Sequence, residues 1–284
     1  MRWLNNAANR LATPAFLVNS LPKAGTHLVS RAMALYPGIR WQGLHIGRSH
    51  RGRFPTADDH QAAVPIGVDW PQPVPLETVQ AAFRQLKKGQ FATAHLPHSA
   101  EMSRLLVELG IRSVLIVRDP RDVVVSHANH IAHSPHHFLY DYYLALSPED
   151  QLMASIRGVE PAEPSGPRML SICDRSRSVL PWMAEPYNYT TRFERLVGPE
   201  AGGSLAAQVE ELENMARHLG IRADAGEAAR IAGSVYGGTS TFRKGLKGQI
   251  GDWSRHLTEA HRAAFKEVAG PLLIELGYER DLDW

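Results

Sequence analysis

A single cysteine, Cys173, is all that the 284-residue chain contains, which excludes an intrachain disulfide and any cysteine-based metal site and suits a reducing compartment. No apolar run approaches the roughly 20 residues that cross a bilayer, and residues 1–14 lack the continuous apolar stretch of a secretory signal. The expectation is a cytoplasmic protein with no integral membrane segment. Acidic residues are missing ahead of Asp58, whereas Arg2, Arg10, Lys23, Arg31, Arg40, Arg48, Arg51 and Arg53 all precede it. Such a cationic field favours an anionic ligand. The net charge of the whole chain is only +2, and no nucleic-acid partner is expected. There are no internal repeats or low-complexity tracts. With 44% hydrophobic and 21% charged residues, the composition permits a packed core and argues against disorder.

What is present is concentrated first in residues 15–35, AFLVNSLPKAGTHLVSRAMAL. Phe16, Leu17 and Val18 suit a buried parallel strand, and Pro22 stops its ladder. Gly25 allows backbone N–H groups to approach a ligand, and Leu28, Val29, Ala32 and Leu35 repeat with helical spacing. Lys23 stands where its ammonium would meet an anion held at the helix start. The nucleotide-triphosphate loop G-x-x-x-x-G-K-[ST] occurs nowhere, and the lysine here precedes the glycine. Taken alone, the element is either a phosphate grip or a plain strand-to-helix connection with a surface lysine.

Residues 36–75 are rich in glycine and proline and read as long loops, assigned to acceptor binding. Trp41 and Trp70 are candidate pocket residues there. Beyond them the patterning predicts a helix over 76–86, a strand over 91–95, a helix over 100–109 and a strand over 113–117. A valine-bearing helix follows, and residues 134–170 read as a second loop-rich acceptor or lid region. A strand over 187–193 and helices over 205–219, 225–235 and 261–276 complete the chain. Alternating strands and helices imply an α/β fold, with a central parallel sheet flanked by helices in three layers, formed by residues 1–284 as one domain.

Two further constellations bear on anions. The second apolar strand ends in Arg118-Asp119-Pro120-Arg121-Asp122, and Ser126 lies one to two turns into the next helix; the arginine fork and the serine hydroxyl both suit an oxyanion. An Arg–Asp pair that merely closes a loop is the competing reading. Near the C-terminus, Thr241-Phe242-Arg243-Lys244-Gly245 leads through Gly248 and Gly251 into Asp252-Trp253. That basic glycine-bearing loop is able to close over an anion.

Together these stretches resemble the sulfotransferase family that uses 3'-phosphoadenosine 5'-phosphosulfate (PAPS) and releases 3'-phosphoadenosine 5'-phosphate (PAP). LPKAGT is similar to its 5'-phosphosulfate loop, VRDPRDVVVS to its 3'-phosphate strand and helix, and FRKGLKGQIGDW to its C-terminal RKG loop. The resemblance implies a P-loop-like fold and in-line sulfuryl transfer to a hydroxyl or amine of a small-molecule, lipid or saccharide acceptor, without a metal. It implies that Lys23, Ala24, Gly25, Thr26 and His27 hold the 5'-phosphosulfate, and that Arg118, Ser126, Arg243, Lys244 and Gly245 hold the 3'-phosphate. FATAHLP is similar to the segment whose histidine is the family's general base, which points to His95, with Lys23 acting also on the leaving oxygen.

The chain departs from the family pattern at several positions. Thr93 and Ala94 precede His95 where a lysine is common, and Phe193 replaces a tyrosine. Leu28 replaces the aromatic that stacks on adenine, so that the base is expected against Trp41 or Tyr236. The family's animal dimer motif is not reproduced around Trp253. His127, His130, His133, His136 and His137 invite a metal reading, but their helical spacing rotates off one face; lining an acceptor pocket, with Tyr140, Tyr142 and Tyr143, or forming a polar face suits them better. Two alternatives stay open: a P-loop kinase and a non-enzymatic nucleotide- or polyanion-binding module.

Overall fold

A computed structural model describes residues 2–47, 54–58, 60–236 and 248–284. Among these residues the strands are β1 (Phe16–Ser20), β2 (Arg40–Ile46), β3 (Ala63–Ile66), β4 (Gln72–Pro75), β5 (Gln90–Ala94), β6 (Arg112–Val117) and β7 (Asn188–Arg192). The helices are α1 (Arg2–Ala12), α2 (Thr26–Ala34), α3 (Leu76–Arg84), α4 (Ala100–Glu108), α5 (Pro120–Ala132), α6 (Tyr140–Leu144), α7 (Pro148–Arg157), α8 (Ile172–Val179), α9 (Phe193–Leu196), α10 (Leu205–Leu219), α11 (Glu227–Val235) and α12 (Glu259–Glu275).

Five strands form one parallel sheet in the order β2-β5-β1-β6-β7. Side chains alternate across a strand, and here the alternation feeds two cores. Leu17, Ala92, Ala94, Leu115 and Val117 face a core shared with α3, α4, α5, α8 and α12. Phe16, Val18, Phe91, Val114 and Ile116 face the other, shared with α2, α10 and α11. The result is the expected three-layer α/β arrangement. β1 sits near the centre and is buried at every position, which is why it opens on the unbroken apolar run Phe16-Leu17-Val18 rather than an alternation, and its polar Asn19 and Ser20 are both buried.

At the sheet's carboxyl edge β1 and β5 are joined beyond their ladder. The Asn19 side-chain amide donates to the Leu96 carbonyl at 3.0 Å and accepts the Leu96 N–H at 2.9 Å. His95, between Ala94 and Leu96, is thereby held where the strands of an open parallel sheet end and ligands bind.

Residues 36–75, expected as loops, contain three strands. β2 is an edge strand whose pairing to β5 slips between Trp41 and His45, and Gly43 sits there at φ 84°. β3 and β4 form a separate antiparallel pair. Residues 134–170 likewise hold α6, α7 and a Val159–Met169 bridge. The chain also begins with a helix, α1, where no element was expected.

Candidate active site

The turn from β1 to α2 requires two unusual backbone conformations. Lys23 is the only non-glycine residue with positive φ among the described residues, at 69°. Gly25 follows at φ 124°, and a Cβ there would lie 2.7 Å from Ile116 Cδ1 and 3.1 Å from Phe193 Cδ2. Only glycine lets the loop pack this close to β6 and α9. The Ser20 and Thr26 hydroxyls close the turn at 2.5 Å. Gly25 offers no side chain to cap α2, so the helix start presents backbone N–H groups and the positive end of its dipole.

Arg118 leaves the end of β6 and lies 4.2 Å over the Phe193 ring. Its guanidinium donates to the Gln249 carbonyl at 3.0 Å and to the Lys23 carbonyl at 3.4 Å, and pairs with the buried Asp122 at 3.4 Å. Its Nε–H is buried without a partner. A buried donor left unpaired is costly, and here it belongs to a residue lining an open cleft. Asp122 also accepts the N–H groups of Gly251 and Trp253, each at 3.0 Å, docking the C-terminal loop beside Arg118. Burial raises the Asp122 carboxyl, while Arg118 and these N–H groups pull it back.

His95 faces the same cleft. Its Nδ1 lies 2.8 Å from the Ser20 carbonyl oxygen. A carbonyl can only accept, so Nδ1 carries the hydrogen and Nε2 keeps its lone pair. Burial pushes this imidazole down to about 4, against the Ser20 hydrogen bond, which pulls it up. His45 meets the His95 ring edge to face at 4.8 Å and is anchored by Thr93 Oγ1 at 2.9 Å. His27 is lowered by burial and by Lys23. His95 and His27 are thus biased toward their neutral forms.

A cleft of about 510 Å³ brings together Lys23, Gly25, Thr26, His27, His95, Arg118 and Ser126. Ala24 is buried in the core beneath the loop. Arg243, Lys244 and Gly245 lie outside the described residues. Leu28 is buried and contributes to the core rather than the cleft. Trp41, 51% exposed, lines the cleft with His45 and His95, whereas Tyr236 packs against the α2 side core.

The expected aromatic pocket is divided. Trp70 and Tyr142 line a separate cavity of about 620 Å³, and Tyr143 is a core residue bonded to Ser155 at 2.9 Å. The histidine-rich stretch divides as well: His130 and His133 reach the cleft, His136 is exposed, and His127 is fully buried. His127, Asp69 and His137 place their ligand atoms within 4.8 Å of one another. Arg175 enters that group, donating to Asp69 at 3.1 Å and to His127 Nδ1 at 3.0 Å. His127 must then donate from Nε2, toward Asp69 at 3.3 Å, and both ring nitrogens are spent within the protein.

His45 was not singled out in the sequence, and Asp69 and Arg175 gave no local signal. His45 sits beyond a strand irregularity, and Arg175 is 106 residues from Asp69.

Residues 13–152 match the family model described as sulfotransferase domain. The chain belongs to the sulfotransferase family. No curated protein matches it significantly. Among solved structures, mouse sulfotransferase SULT7A1 complexed with PAP is 17% identical, with 97% of this chain and 91% of that chain covered and a TM-score of 0.57. Retinol dehydratase in complex with androsterone and PAP is 14% identical, covering 96% and 85%, with a TM-score of 0.55. These similarities show the fold, and the kinase alternative gains nothing from them. Among the described residues of this sulfotransferase, no helix is long and apolar enough to cross a membrane.

Proposed function

We propose that this sulfotransferase moves the sulfuryl group of PAPS to a hydroxyl of a small acceptor, with His95 as general base. The observation that carries the reading is the open Nε2 of His95, fixed by the Ser20 carbonyl, in one cleft with Lys23, the uncapped start of α2 and Arg118. PAPS supplies the sulfuryl group and departs as PAP. Lys23, Gly25, Thr26 and His27 would hold its 5' end, and Arg118 and Ser126 its 3'-phosphate. The unpaired Nε–H of Arg118 suits an anion, and Gly25 lets the loop pack against Ile116 and Phe193 while the α2 N-terminus faces the cleft. Arg243, Lys244 and Gly245 join this proposal from sequence alone.

The acceptor O–H bond breaks as its oxygen bonds to sulfur, and the proton passes to His95 Nε2. The bond from sulfur to the phosphate oxygen breaks on the opposite side, where Lys23 and the α2 N-terminus would stabilise the growing negative charge. His95 need not be highly basic for this role, because it is neutral throughout the physiological range.

The lining also favours a hydroxyl over an amine. No carboxylate faces the cleft among its described residues, whereas Lys23 and Arg118 both do. No side-chain carboxylate of the described lining is thus available to hold a protonated amine, whereas a neutral hydroxyl needs none. The imidazoles of His27 and His95, with Asn129 and Ser134, instead offer both donors and acceptors to a hydroxylated molecule. The solved neighbours are consistent in kind, since retinol dehydratase has been crystallised with retinol and with androsterone.

The test is transfer of labelled sulfate from PAPS to alcohol and amine versions of the same scaffolds, with PAP binding measured by calorimetry. Transfer to hydroxyls with PAP competition supports the reading. Absence of PAP binding, or ATP-dependent phosphorylation lost in chelator, overturns it.

A further inference from the structure

α1 is attached to the fold by its polar side. The Asn9 amide donates to the carbonyls of Pro37 and Arg222, both at 2.9 Å, and its oxygen accepts the Arg222 N–H at 2.8 Å. Asn5 donates to Asp224 at 2.7 Å, and Thr13 donates to the Gly220 carbonyl at 3.3 Å. The backbone is seated against two glycines. A Cβ on Gly38 would collide with the Asn6 carbonyl, and one on Gly89 would lie 3.0 Å from Arg10 Cα. Asn9 is consequently 1% exposed, while Leu4 is 63% and Leu11 73% exposed.

This inverts the usual arrangement, in which a surface helix buries its apolar stripe. Leu4, Ala7 and Leu11 are all exposed at i, i+3 and i+7, on one face by helix geometry. Cations flank them. Arg10 is exposed on the helix itself; Arg40, whose N–H donates to the Gly89 carbonyl at 2.9 Å, and Lys87 and Lys88 are exposed beside the same glycine seam. Asp224 is the one carboxylate bonded to α1 among the described residues, and Asn5 occupies it.

We infer that the α1 face docks this protein on the surface of an anionic phospholipid bilayer, with Leu4 and Leu11 in the headgroup boundary and Arg10, Arg40, Lys87 and Lys88 against lipid phosphates. An apolar stripe rimmed by Lys and Arg is the form that interfacial binding takes. A second copy fits less well. A two-leucine stripe falls short of the roughly 800 Å² per partner of a stable interface, and a two-fold axis would bring the cationic rim against itself.

α1 packs at the amino end of the strands, against the residues preceding β1, β2 and β5, whereas the cleft opens at their carboxyl end. The bilayer would therefore lie on the side away from His95, leaving the cleft open to water. This inference does not rest on the sulfotransferase reading.

Co-sedimentation of the full chain with vesicles tests it. Vesicles of about 30% phosphatidylglycerol in phosphatidylcholine should retain the protein, neutral vesicles should not, and about 0.5 M salt should release it. The double variant Leu4→Ser with Leu11→Ser should partition at least about tenfold more weakly, and Lys87→Gln with Lys88→Gln roughly tenfold more weakly. Both should keep native PAP binding and thermal midpoint, because all four side chains are exposed. Equal retention of variants and native protein overturns the inference. So does a native dimer, lost in the leucine variant, that ignores vesicles.

Discussion

His95 and His127 are both held by hydrogen bonds, yet their partners leave them with opposite hydrogen-bonding capacity. His95 donates to a backbone carbonyl and keeps an open nitrogen. His127 accepts from Arg175 and donates toward Asp69, leaving nothing free. Burial lowers both imidazoles. Desolvation by itself therefore does not distinguish a base from a structural histidine; the type of partner does. An acceptor-only partner exposes a lone pair, and a donor-only partner consumes it.

The largest effect expected from this contrast is in turnover. His95→Ala should lose about 10²- to 10⁴-fold in turnover while retaining PAP binding and nearly all its stability. Single-turnover transfer and calorimetry measure the two halves of that statement, and unchanged turnover would remove His95 from the base role. Arg175→Met should do the reverse. It leaves Asp69 buried without its cation, at a cost of about 3–5 kcal/mol in unfolding free energy, while the folded fraction turns over within a few-fold of native. Against desolvation, which would raise it, His127, Arg175 and His137 hold the Asp69 carboxyl well below its ordinary range. A large turnover loss in Arg175→Met at full folding would collapse the distinction.

These two regions also differ in how far the sequence discloses them. The loop of Lys23 and Gly25 is local: an apolar strand, a proline, a glycine and a helical period follow one another, so each feature is visible in one window. The same holds for β6 running into Arg118. The Asp69, His127 and Arg175 group assembles from three distant segments and has no such window. β2 was missed because an edge strand with an exposed, glycine-interrupted face shows no alternation, and β3 and β4 because prolines at Pro65, Pro73 and Pro75 read as breakers. α1 was missed because its contacts to the fold are asparagine hydrogen bonds rather than an apolar stripe. Arg243, Lys244 and Gly245 rest on resemblance alone.

A smaller effect tests whether the loop is a shaped cradle or a spacer. Gly25→Ala adds a Cβ 2.7 Å from Ile116 Cδ1 at a φ of 124°. Crowding and backbone strain should destabilise the fold by about 1–3 kcal/mol. If the loop holds the 5'-phosphosulfate, PAP affinity should fall as well, without a change in the pH dependence of turnover. Unaltered affinity in a folded variant would make Gly25 a packing residue only.

The smallest expected effect is the most diagnostic for His95. A histidine with an ordinary pKa of about 6.5 would be some thirtyfold depleted in its neutral form at pH 5. With His95 held near 4, its imidazole remains mostly neutral there, so, if it is the base, turnover should change by less than about twofold between pH 7 and pH 5 and fall only toward pH 4. Stability should begin to fall at a higher pH than turnover does, for a linked reason. The unfolded chain takes up a proton on this side chain near 6.5, the folded chain only near 4, so the native advantage is intact above about pH 6.5 and is lost as the pH falls toward 4. His127, also lowered, adds to the loss of stability but not to the loss of turnover. An acid limb in turnover centred near 6.5, absent from His95→Ala, would mean that the Ser20 carbonyl, and not burial, sets the proton affinity of the base.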